Sequence, residues 1–204
     1  MSRYTGPKFK LCRREWINLF GPEKYNVKNR RWVPGQHGAN QPRLSEYGKL
    51  LRNKQVLKRI YQMNEKQFNK LVNETSKKYA KNKSLDHDKV LYQFLERRLD
   101  NVVLKAGFAN TIMQARQMVV HGHFNLNGRK HNVPSYFVQL NDIISLRDRL
   151  QSSDLYSNIS STNPVWMSVD RAWYSIKILD LPSMTEENRL PVDILKVIEF
   201  YARA

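Results

Sequence analysis

The sequence predicts an α+β fold. Three observations carry that expectation. Apolar residues recur at helical spacing in 45–63, in 65–80 and twice between 94 and 120. After Gly122 the apolar period drops from 3.6 to 2. Asn127-Gly128, a strong tight-turn dipeptide, then interrupts the alternation.

Taken in order, residues 1–43 are punctuated by Gly6-Pro7, Gly21-Pro22, Pro34-Gly35, Gly38 and Pro42, so they read as an extended segment. A brief helix is expected from about Pro7 to Asn18, with Phe9, Leu11 and Cys12 inward. Basic and aromatic side chains interleave here: Arg3-Tyr4, Lys8-Phe9, Arg13-Arg14 with Trp16, and Arg30-Arg31-Trp32. Cations beside stackable rings suit contact with RNA, although a basic tail of no specific role has a similar composition. Pro34-Gly35-Gln36-His37-Gly38 reads as a tight turn whose backbone can approach a ligand closely. No second ligand-type residue stands beside His37 at metal spacing.

Ser45 caps the helix of 45–63. Tyr47, Leu50, Leu51, Leu57, Ile60 and Tyr61 form its apolar stripe, and Lys49, Arg52, Lys54, Lys58 and Arg59 its basic face. Asn64 and Gln67 frame a capping box for the helix of 65–80, whose inner face is Phe68, Leu71, Val72 and Tyr79. Lys77–Lys83 reads as a solvated linker.

The stretch 94–147 is the centre of the chain. Phe94, Leu95, Leu99, Val102, Val103 and Ala106 define the apolar face of one helix, stopped at Gly107. Thr111 and Gln114 open the next, which buries Ala115, Met118 and Val119 and stops at Gly122. Phe124, Leu126, Ile143, Ile144 and Leu146 supply a small sheet. Arg97, Arg98 and Lys105 on the first helix, Arg116, Gln117 and His121 on the second, and Arg129 and Lys130 after the turn can converge on one rim suited to phosphate and RNA shape. The same pattern is also that of a solvated charged face. Asp100 is expected to pair with Arg97. Beyond Leu146, Gln151–Asn163 reads as a loop, and Trp166, Val169, Trp173, Ile176, Ile178 and Leu179 as short strands. Residues 192–201 read as a buried terminal strand or helix.

Composition narrows the function. The 204 residues carry a net charge of +17 and a pI near 10.1, which points to a polyanionic partner. Residues 1–59 hold 15 Lys and Arg against 3 Asp and Glu, whereas residues 149–204 hold 6 against 7. The N-terminal part is therefore expected to face RNA, and the C-terminal part to pack or meet protein. No apolar run approaches the roughly 18 residues of a membrane span, and the N-terminus lacks a secretory apolar region. Cys12 is the single cysteine, which fits a reducing compartment.

The strings Arg98-Leu99-Asp100-Asn101-Val102-Val103, Ala115-Arg116-Gln117, His121-Gly122-His123, Val133-Pro134-Ser135-Tyr136 and Asn141-Asp142 resemble the small RNA-binding domain named after the fourth small-subunit ribosomal protein. Ser2–Pro7, Pro34–Gly38, Arg43–Gly48, Leu51–Gln55 and Val197–Tyr201 extend the match, so nearly the whole chain resembles the bacterial-type S-four ribosomal family. The resemblance implies a helical domain made from 44–91 and 186–204, a central domain at 92–185 inserted into it, and 1–43 as an extended basic segment. It also implies an assembly protein on a helical junction in the 5′ domain of small-subunit rRNA. Such a protein would sit near the channel through which messenger RNA enters, touch protein S-five and contribute to translational accuracy.

The candidate RNA contacts are Arg3, Tyr4, Lys8, Arg13, Arg14, Arg30, Arg31, Gln36, His37, Arg43, Tyr47, Arg52, Lys54, Lys58, Arg59, Arg97, Arg98, Arg116, Gln117, His121, His123, Asn127, Arg129, Lys130 and Ser135. Some family members hold zinc with four N-terminal cysteines. Here Cys12 stands alone, so no metal and no cofactor are expected. Two other readings share the RNA-binding domain: a pseudouridine synthase, whose Arg-Leu-Asp string Arg98–Asp100 resembles, and a ribosome-associated rescue factor. Neither an obvious catalytic domain nor a nucleophile constellation supports an enzyme. The expected location is the ribosome, in a bacterial cytoplasm or in an organelle with bacterial-type ribosomes.

Overall fold

The computed structural model describes residues 4–27, 32–40, 43–81, 86–156, 164–184 and 190–203. Arg3, Arg30, Arg31, the end of the expected 77–83 linker and most of the 151–163 loop lie outside them. The backbone divides into two compact units, Met1–Leu91 with Glu186–Ala204, and Tyr92–Thr185.

The first unit begins with α1 (Lys8–Glu15), which buries Cys12 and stops at Trp16 in the left-handed region. Asn18 organises the turn that follows. Its amide nitrogen donates to the carbonyls of Gly21 and Pro22, and its oxygen accepts from the N–H groups of Phe20 and Gly21 at 3.1 Å. The hydroxyl of Ser45 accepts from the Gly48 amide at 3.2 Å and opens α2 (Glu46–Ile60). Asn64 accepts from the Gln67 amide at 2.7 Å and opens α3 (Glu65–Lys81). Both caps satisfy amides that a helix start would otherwise leave unpaired. Because α3 runs to Lys81, most of the expected linker is helical. The terminal run 192–201 is resolved in favour of a helix, α8 (Ile194–Arg203). It packs along α2 and α3 through Ile194, Val197 and Phe200, with the Phe200 ring 5.5 Å from Tyr47 and Tyr201 6.0 Å from Phe68.

The helix expected across Phe94–Ala106 is two helices, α4 (His87–Glu96) and α5 (Leu99–Lys105). The chain breaks at Arg98, whose backbone is extended (φ −64°, ψ 135°) and forms a bridge to Phe137. The break is satisfied from the strand side. The Leu99 and Asp100 amides donate to the carbonyls of Tyr136 and Pro134 at 2.9 and 3.1 Å. Helical periodicity across the break is preserved, which is why the sequence conceals it.

Thr111 caps α6 (Ile112–Val120), and the Gln114 side chain reaches back one residue further than in a standard capping box, to the Asn110 amide. At the far end the His123 amide donates to Met118 and the Gly122 amide to Val119, with Gly122 at φ +68°, a Schellman closure. The chain then enters a five-stranded antiparallel sheet of β1 (Phe124–Leu126), β2 (Arg129–Lys130), β3 (Ile143–Leu146), β4 (Met167–Asp170) and β5 (Ser175–Ile178), in the order β2-β1-β3-β5-β4. Leu126 pairs with Arg129 across Asn127-Gly128, both at positive φ, as a two-residue hairpin turn requires. Leu99, Val102, Val103, Ala115, Met118, Val119, Phe124, Ile144, Leu146 and Ile176 share one core. Between β3 and β4, α7 (Asp148–Gln151) leads into the expected loop, whose first part forms a 3-10 turn, Asp154–Tyr156, that drives Tyr156 into that core.

Candidate nucleic-acid interface

In the first unit the basic residues sort into two groups. One is tied down. Glu15, at the end of α1, receives Arg52 at 3.0 Å and Arg59 at 2.5 Å, with its side chain only 3% exposed. Lys54 and Lys58 converge on Glu65 at 2.7 and 2.8 Å, and Lys54 also lies 4.4 Å from the centre of the Phe200 ring. Lys54 is therefore buried inside the helical unit, against the expectation that it lines a basic outer face. Its stem packs with apolar neighbours while its ammonium meets a carboxylate and a ring.

The second group is open. Tyr4, Arg14, Gln36, His37, Arg43 and Tyr47 are exposed, and Lys8 is half-buried. A cavity of about 1080 Å³ is lined by Arg14, Trp16, Pro34, Gln36, His37 and Arg52, among others. Arg13 is occupied, donating to the Trp32 carbonyl at 2.8 and 3.0 Å. The close approach expected of the Pro34–Gly38 turn is made at Gly38 to the chain's own Val33 carbonyl, where any Cβ would collide. The turn thus holds Gln36 and His37 outward.

In the second unit the expected rim divides in the same way. Arg98 is buried and donates to both oxygens of Asp100, at 2.9 and 3.2 Å, and Arg116 reaches the same carboxylate at 3.5 Å. Asp100 is thus held by Arg98 and Arg116 rather than by Arg97, whose Nε donates to the Val138 carbonyl at 2.7 Å. Burial pushes the Arg116 guanidinium below its ordinary value, Asp100 opposes the shift, and Arg98 adds to it. Arg98 is placed as an internal ion-pair partner, not a surface contact. Asn127 is exposed, but its side chain serves the turn: it donates to Asp142 and accepts from the Ile143 amide, each at 2.9 Å.

Gln117, His121, Arg129, Lys130 and Ser135 are exposed, and His123 is half-buried. His121, His123 and Lys130 gather at the end of α6 with two arginines that sequence reading left out. Arg147 donates to the Gly122 carbonyl at 3.3 Å, and Arg149 follows on α7. The basic run Arg147-Asp148-Arg149 directly after the apolar strand residues is the sequence signal for them. Burial, then His121, Arg149 and Arg147, hold the His123 imidazole below its ordinary value. Among the described residues, no three His, Cys, Asp or Glu side chains gather as a metal site would need, and no helix is long and apolar enough to cross a membrane.

The family profile described as "Ribosomal protein S4/S9 N-terminal domain" matches residues 3–106, just over half of the chain, and the "S4 domain" profile matches residues 97–144. The chain is 43% identical over 214 aligned residues to small ribosomal subunit protein uS4 of Thermotoga petrophila, with both chains fully covered. The chain belongs to the uS4 family. The uS4 proteins of Thermotoga maritima and a Thermoanaerobacter strain are 42% and 39% identical, again over the full length of both chains. Within this chain, the S4 domain match spans α5, α6 and the first two strands. The matched residues carry the Asp100 cluster and, at the end of α6, His121, His123 and Lys130, whereas Arg147 and Arg149 lie beyond the match.

Proposed function

We propose that this protein is a structural, non-catalytic constituent of the small ribosomal subunit that binds its ribosomal RNA. The end-to-end similarity to uS4 proteins carries the reading. The open basic groups of the two units supply its chemistry: cations and polar side chains that meet phosphates, beside exposed rings on which bases can stack.

The RNA bound is a helical junction in the 5′ domain, where the protein acts early in assembly. It also touches neighbouring ribosomal proteins, including S-five, near the channel through which messenger RNA enters, and so contributes to translational accuracy. Exposed Leu140, Ile143 and Leu179 give the second unit an apolar surface suited to a protein neighbour. The location is the ribosome, in a bacterial cytoplasm or an organelle of bacterial type.

The pseudouridine synthase reading is not favoured. Asp100, which would be its catalytic aspartate, is wholly buried between two arginines and cannot reach a uridine. A rescue factor would not account for similarity along the whole chain. The test is sedimentation of ribosomal subunits after a high-salt wash. One copy per small subunit is expected, and recovery only in the soluble fraction overturns the proposal.

A further inference from the structure

We propose that the corner around Gly122 is a binding site for an RNA backbone phosphate, and that filling it takes up a proton on His123. This rests on the RNA-binding reading above and deepens it.

Four elements build the corner. The Schellman closure of α6 turns the chain sharply at Gly122, leaving the His121 and His123 rings with centroids 6.1 Å apart. From β2, Lys130 lies over the glycine: a Cβ at position 122 would sit 2.5 Å from its Cε and 3.5 Å from its Nζ. At the end of β3, the Arg147 amide donates to the His123 carbonyl at 3.0 Å, and its guanidinium donates to the Gly122 carbonyl. Arg149 adds a further cation from α7. Five groups that are or can become cationic therefore surround one backbone turn.

Among the described residues, counter-charge at the corner is sparse. On the packed elements, the carboxylates are Asp148, whose Oδ1 accepts from the Gln151 amide at 3.2 Å, and Asp154 on the 3-10 turn. Arg116, the other cation of α6, is engaged with Asp100. The sequence that follows Tyr156, Ser157 to Asn163, contains no ionisable side chain. A site with this balance suits an anion, and a phosphodiester oxygen can accept from several of its donors at once.

Tyr156 makes His123 responsive to that anion. Its hydroxyl is 2.6 Å from His123 Nδ1, and burial pushes its own ionisation up to about 12. A neutral phenol can donate to Nδ1 of the neutral imidazole or accept from Nδ1–H of the imidazolium, so either charge state of His123 is satisfied. In the free protein, burial and the neighbouring His121, Arg149 and Arg147 disfavour the charged form. An arriving phosphate reverses the local field and favours it. The RNA-bound protein therefore holds a proton that the free protein lacks, and affinity rises as the pH falls through the interval between the free and bound ionisations.

The test is calorimetric titration of the full-length protein with a small-subunit 5′-domain RNA at pH 6.5, in two buffers of different ionisation enthalpy. Net proton uptake is expected for the wild type and should be lost, or nearly so, in H121Q/H123Q, with thermal melts confirming folding. Lys130→Gln, an exposed change, should lower the salt slope of log affinity by about 0.7 to 0.9. Equal proton uptake by wild type and double variant, or an unchanged salt slope for Lys130→Gln, overturns the inference while leaving RNA binding intact. Failure to bind the RNA at any pH instead overturns the functional reading on which it rests.

Discussion

Lys54 and Glu65 form an ion pair at 2.7 Å in which the lysine side chain is 8% exposed and the glutamate 47%. The same Glu65 oxygen accepts from the Tyr201 hydroxyl at 2.9 Å, so one carboxylate joins α2, α3 and α8. Burial raises the Glu65 ionisation, but hydrogen bonds from Lys54, Lys58 and Tyr201 outweigh it and hold the group at about 2.

A folded-state ionisation below the unfolded value contributes stability that is present above the unfolded value and lost as the pH falls through the folded one. The first unit should therefore weaken between about pH 5 and pH 2. Glu65 is half exposed, so solvent screening reduces the effect to about 1–2 kcal/mol. Urea unfolding followed at pH 7, 4 and 2 should show Glu65→Gln less stable than wild type at neutral pH and equal to it near pH 2. A constant difference across the series would remove the linkage.

Asp100 is wholly buried between Arg98 and Arg116, and removing it takes away the carboxylate that both guanidinium groups share. Asp100→Ala should cost about 3–5 kcal/mol, as loss of one member of a buried ion pair does. Arg116→Ala, acting on the longer contact, should cost about 1–2 kcal/mol. Melting temperature checks both. An Arg116→Ala protein that melts like the wild type but binds RNA weakly would return that arginine to the RNA surface.

Gln62 closes α2 at φ +51°, with the Met63 amide donating to Lys58 and the Gln62 amide to Arg59. This is the geometry that Gly122 provides at the end of α6, here imposed on a residue with a Cβ. Gln62→Gly should raise stability by about 0.5–1 kcal/mol, the relief of left-handed strain exceeding the added freedom of the unfolded chain. A lower urea midpoint for the variant would show that the Gln62 side chain contributes more than the strain costs.

Local signals were legible where a single residue type decides the geometry. Ser45, Asn64 and Thr111 announce their helix starts, Gly122 announces a stop, and Asn127-Gly128 a hairpin. Signals that depend on partners far along the chain were not. The break at Arg98 is made by carbonyls of Pro134 and Tyr136, which no periodicity in α4 or α5 reports. Basic side chains look alike in a sequence whether they are free or paired. Lys54 and Glu65 are 11 residues apart, and Arg59 and Glu15 are 44 apart. Sequence reading therefore pooled inward arginines and lysines with outward ones. The run 192–201 fits strand and helix equally in the sequence because its apolar residues occur on most faces.

The open and closed cations should separate in a binding experiment. Arg129 is exposed in β2, and Arg43 is exposed just ahead of α2. Each alanine substitution should lower the salt slope of log affinity for 5′-domain RNA by about 0.7 for a single-strand-like contact and up to about 0.9 for a duplex-like one. Stability should stay within about 0.5 kcal/mol of the wild type, because neither change empties a buried site. Lys54→Ala should do the reverse. It removes the buried partner of Glu65 and the cation over Phe200, so the first unit should melt early. Where the variant is still folded, it should retain the full salt slope, because Lys54 does not reach solvent to release a counterion. Filter binding at several salt concentrations, with melts alongside, checks all three. A reduced slope for folded Lys54→Ala, with Arg43→Ala and Arg129→Ala unchanged, would invert the division between paired and open cations.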